Sequence, residues 1–85
     1  MPQPIPAVHS NGTGKNALMS QMNRVIEKLR NAQEEMSFAT PHERDFYIKK
    51  DNDYRQAYAV HEIRMERIAA LIAEFEELRE AIFNQ

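Results

Sequence analysis

The chain has 85 residues, 11 Lys and Arg against 13 Asp and Glu, a net charge of −2, 42% apolar residues and no cysteine. That length allows one domain, near the lower limit at which a core is self-sufficient, and the missing cysteines exclude disulfides and thiolate metal sites as remedies. The near-balanced charge gives no general attraction to nucleic acid, and no run approaches the ~20 apolar residues of a membrane span.

Residues 1–14 form the first element, an extended tail. Pro2, Pro4 and Pro6 favour a polyproline-like course, and Gly12 and Gly14 add a hinge. This start has neither the cationic residues nor the apolar block of a secretion signal. A cytoplasmic protein is expected, or part of a virion or other large assembly. The stretch HSNGTGKNAL, residues 9–18, imitates a phosphate-binding loop. Such a loop needs glycine five residues before the Gly-Lys pair and a hydroxyl residue after it, and those positions hold His9 and Asn16. No nucleotide or other cofactor is expected, and the tail reads as a docking arm.

Residues 15–85 read as a helical hairpin domain. The spacing of Leu18, Met22, Val25, Leu29, Ala32 and Met36 is an unbroken heptad seam, which predicts a helix over 16–38. A turn at 39–40 follows. Thr40, Pro41 and Glu43 match a capping box with proline in its favoured place, so a second helix is predicted over 41–84. Within it the stretch KKDND, residues 49–53, holds Asp51 and Asn52, which prefer caps to helix interiors. A break at 50–53 is therefore possible. Beyond it, Ile68, Leu71, Phe75, Leu78 and Ile82 form a second clean seam, which turns polar when traced back through Arg64, His61 and Ala57.

The fold class expected is all-α: an antiparallel helical hairpin of two or three helical segments, with coiled-coil-like packing. With one unbroken second helix, the apolar stripe from Ile68 to Ile82 would overhang the first helix by ~20 Å. With a separate short helix over 41–50, Leu18 falls opposite Phe75 and Met22 opposite Leu71. That version also sets a basic stretch (Lys15, Arg24, Lys28 and Arg30 against Glu27) on an acidic one (Glu74, Glu76, Glu77 and Glu80 against Arg79).

No chemistry-bearing constellation emerges. The dipeptides at His42 and His61 lack the second histidine four residues on that a zinc-binding helix requires; Phe46 and Met65 stand there. Adjacent carboxylates such as Glu34 and Glu35 diverge by ~100° on a helix and make no acid–base pair. Arg44, Lys49, Lys50 and Arg55 interleave with Phe46, Tyr47, Tyr54 and Tyr58, a pattern able to stack bases, but Asp45, Asp51 and Asp53 reduce the local balance to +1. Neither an enzyme nor a metal site is expected. The expected role is protein–protein interaction as a small self-associating structural subunit, through Leu18, Met22, Val25, Leu29, Met36, Ile68, Leu71, Phe75, Leu78 and Ile82. A possible second interface comprises Phe46, Tyr47, Tyr54 and Tyr58. The alternatives are an adaptor or inhibitor for one larger protein, of the phage or mobile-element kind, and then a nucleic-acid binder using residues 44–58. In outline alone, with no shared motif, the chain resembles type III secretion needle subunits, their export co-chaperones and accessory proteins of phage particles.

Overall fold

The computed structural model describes residues 3–8, 14–46 and 51–85. Helix α1 spans Lys15–Phe38 and helix α2 spans Asp51–Phe83. Gly14 precedes α1 in an extended conformation, φ −65° and ψ 159°, and offers no side-chain cap. The far end of α1 is closed instead: Ala39 N–H donates to Met36 O (3.1 Å), and the Thr40 hydroxyl donates to Ser37 O (2.7 Å).

That hydroxyl explains why no capping box forms at Thr40 and Glu43. Thr40 Oγ1 also lies 3.2 Å from Nε2 of His61, which is only 8% exposed. With its single proton given to Ser37 O, the hydroxyl accepts from His61 Nε2–H. A buried ring nitrogen left without a partner is more costly than an exposed helix start left without a cap, so the threonine faces back toward α1. Residues 41 and 42 are therefore not helical, and Glu43–Phe46 forms a short 3-10 turn. His42 serves as its cap, with Nδ1 accepting from Arg44 N–H at 3.2 Å. Tyr47, Lys49 and Lys50 lie outside the described residues. Helix α2 begins within the KKDND stretch.

The two helices pack antiparallel. Lys15 Nζ donates to Gln85 O (3.1 Å), Arg79 to Asn23 Oδ1 (2.8 Å), Arg30 pairs with Glu76 (2.8 Å), and Thr40 meets His61. Met22 is thus level with the Arg79 turn, not with Leu71, and the register is displaced by two to three turns from the expected one. Electrostatics favours the shift. The last turn of α2 carries no basic residue, yet its free carbonyls favour a cation. Lys15 supplies one, and its ammonium also sits 4.9 Å above the Phe83 ring.

In this register α1 runs level with the Ile68–Ile82 stripe along its length. The overhang lies at the opposite end, where the first three turns of α2 project ~18 Å past Phe38. Phe46 and Tyr58 flank Tyr54 there, with ring centroids 6.0 and 6.2 Å apart. The described structure measures 62 × 25 × 15 Å. Its thickness is that of a single helix layer, so neither broad face is covered by a third helix.

Candidate interaction face

Among the described residues three large apolar side chains are buried: Ile26 (2% exposed), Ile72 (6%) and Ile82 (0%). Two of the three lie off the heptad seams. Ile26 follows Val25, and Ile72 follows Leu71, which is itself 40% exposed. One line of covered positions on α2 runs Tyr54, Ala57, His61, Met65, Ile68, Ile72, Phe75, Arg79 and Ile82, with Glu76, Leu78 and Ala81 half-buried beside it. This row contains a 4,4 step where a strict heptad has 4,3. It shares Ile68, Phe75 and Ile82 with the heptad seam and parts from it at Ile72 and Arg79, the direction in which a straight helix at 3.6 residues per turn drifts, ~20° per heptad.

The consequence is geometric. At ~100° per residue, the predicted seam of each helix is rotated by roughly 40–50° from the line joining the two helices. Helix handedness sends both rotations to the same broad face. That face carries the half-buried Leu18, Val25, Leu29 and Met36 of α1. From α2 it carries Val60 and Leu71, each 40% exposed, and the half-buried Leu78. Ala32 belongs to it as well and is exposed. A notch of about 350 Å³ opens there between Val25 and Leu29, walled by Arg24 and Lys28. The cross-helix polar pairs, Arg30–Glu76 and Asn23–Arg79, lie toward the other face. Met22, Ile68 and Phe75 are half-buried between the helices, and Ile82 is wholly enclosed. The hairpin thus uses part of its apolar surface internally and leaves a row of apolar side chains on this side, while Phe38 (74% exposed) and Phe83 (60%) lie off it.

The tail borders this surplus. Gln3 Nε2 donates to Glu74 O (3.2 Å). The Gln85 amide brackets the chain: its Oε1 accepts from Val8 N–H (3.0 Å) and its Nε2 donates to Pro6 O (2.7 Å). Residues 3–8 therefore lie along the last three turns of α2, between Glu74 and Gln85. The docking arm expected from the prolines is docked, within this structure, on its own α2.

Other groups are committed locally. Ser37 Oγ donates to Glu34 O at 2.6 Å, and the ring nitrogens of His42 and His61 meet Arg44 and Thr40. Among the described residues no three of His, Asp and Glu gather to hold a metal ion, and no described helix is long and apolar enough to cross a membrane. His9 lies outside the described residues.

The sequence pattern missed Ile26, Ile72 and the Thr40–His61 bond. Val25-Ile26 and Leu71-Ile72 are adjacent apolar pairs, and spacing alone does not choose between neighbours. A recurrence every 11 residues, as in Lys15–Ile26 and His61–Ile72, was the available signal of a line straighter than a heptad. Comparison of the chain with family models, with curated proteins and with solved structures finds no match.

Proposed function

We propose that the chain works by association, as a small self-associating structural or assembly subunit without catalytic activity. The observation that supports this reading is the apolar surplus on one broad face of a layer one helix thick. Three buried apolar side chains among the described residues are few for a domain of this length, and small helical domains commonly gain the missing burial from a second chain. Val60 and Leu71 on α2, with the Val25–Leu29 notch on α1, supply such a surface. Light scattering of the purified chain over a concentration series tests the reading. A mass of two or more chains is the expected result; a folded monomer at every concentration argues against it.

Removing residues 1–13 provides a second test. No backbone hydrogen bond of either helix involves residues 3–8, so the helical circular dichroism signal is expected to persist. Association is expected to strengthen several-fold, because residues 3–8 lie on the strip of α2 between Glu74 and Gln85 that a covering chain must reach. A fall in helicity would assign the tail to the folded core instead.

A second reading, as an adaptor for one larger protein, is favoured by the overhang of α2. Phe46, Tyr54 and Tyr58 are aromatic residues of the kind that anchor interfaces. They stand beyond the end of α1, near a cleft of about 400 Å³ between Pro41 and Ala57.

A further inference from the structure

We infer that the chain covering the apolar face is a second copy of this one, with its α1 laid over α2 and its α2 over α1. Two hairpins then close into a four-helix bundle about a twofold axis parallel to the helices, and residues 3–8 leave the strip of α2 between Glu74 and Gln85 on which they lie in the single chain, so that the second copy's α1 takes their place. This rests on the association reading above and adds the partner, the orientation and the register.

The first argument is the rotation of the seams. In a square of four helices each helix has two neighbours at right angles, so its apolar stripe points midway between them, about 45° from the line to either. Both seams here are turned from the intrachain neighbour by that amount and toward the same side. A hairpin complete in itself would point its two stripes at each other.

The second argument is charge. Arg24, Lys28 and Glu35 lie along the outer rim of α1, and Arg67, Glu74 and Glu77 along the outer rim of α2. All six are exposed. None enters the intrachain ion pair or the side-chain hydrogen bonds that join the described helices. A twofold axis along the bundle keeps every residue at its own height. Helix α1 therefore meets the second copy's α2 in the register in which Asn23 meets Arg79 within one chain. That register sets Arg24 level with the partner subunit's Glu77, Lys28 with the partner subunit's Glu74, and Glu35 with the partner subunit's Arg67. All three pairs are of opposite sign. An axis perpendicular to the helices would instead stack α1 on α1 and α2 on α2, and would lose all three of these pairs.

The chain has no cysteine, which makes a cross-linking test clean. Lys28→Cys and Glu74→Cys are made as separate variants, mixed, and treated with a short bis-maleimide. In one hairpin these positions lie on opposite outer edges, so only a second copy brings them together. The expected product is the mixed 28–74 dimer, with little product from either variant alone. Links confined to 28–28 dimers, or no links in a sample whose mass is still that of a dimer, overturn the orientation and leave the association reading standing. A wild-type chain that is monomeric at all concentrations overturns both. As an independent measure, Arg24→Glu with Lys28→Glu is expected to weaken association about tenfold at low salt. Mixing it with Glu74→Lys/Glu77→Lys chains should restore both α1–α2 rims, one with exchanged charges and one in its native form. An unchanged affinity in the first variant removes the register.

Discussion

Ile26→Ala is expected to be among the most damaging conservative truncations in this chain, costing about 2–5 kcal/mol. Ile26 is 2% exposed on the inner line of α1, so truncation leaves a cavity that a two-helix layer has few side chains to fill. For a small domain that loss is comparable to the whole stability of the fold. Thermal or urea unfolding followed by circular dichroism, at one fixed protein concentration, reads it directly. Ile26→Val should cost only ~0.5–1.5 kcal/mol. The informative comparison is Val25→Ala, one residue earlier on the heptad seam. If Val25→Ala proves the more damaging of the two alanine variants, the inner line follows the heptad and the rotation of the seams is wrong.

Leu71→Glu should do the opposite, leaving the hairpin folded and removing its association. Leu71 is 40% exposed and sits at the centre of the α2 side of the apolar face, so a carboxylate there stays solvated in the single chain. In a closed interface the same carboxylate is desolvated without a partner, a cost of several kcal/mol and a loss of affinity of at least ~100-fold. Light scattering should report a monomer whose helical signal matches that of wild type. Phe75→Glu is the contrast, because Phe75 is half-buried between the helices and its replacement destabilises the hairpin itself. A Leu71→Glu chain that keeps its mass would exclude this face as the contact.

The positions of the two lines explain what could be read in advance. The heptad spacing of Leu18 to Met36 and of Ile68 to Ile82 identified two helices, and Thr40-Pro41 identified the turn between them. The same spacing marked residues of the apolar face, since Val25, Leu29 and Leu71 are seam residues. It marked only part of the set that holds the hairpin together, Met22, Ile68, Phe75 and Ile82. Ile26 and Ile72 lie one place further on, next to Val25 and Leu71. Nor did it give the role of Thr40, whose capping signature is good by local rules. The competing demand comes from His61, 21 residues away, whose buried nitrogen needs the same hydroxyl.

Helix content, the single reversal of chain direction and the polar character of the first half of α2 follow from local sequence, since propensity, capping and apolar periodicity act over one or two turns. The register of α1 on α2, the side on which the surplus apolar surface emerges and the docking of the tail do not. Register is decided by contacts between residues 46 to 70 positions apart, Arg30 with Glu76 and Lys15 with the carbonyl end of α2. The tail is held by Gln85, at the other end of the chain. Such contacts exist only once the chain has folded back, and a choice among several apolar registers is made by the charges and buried polar atoms that one of them satisfies.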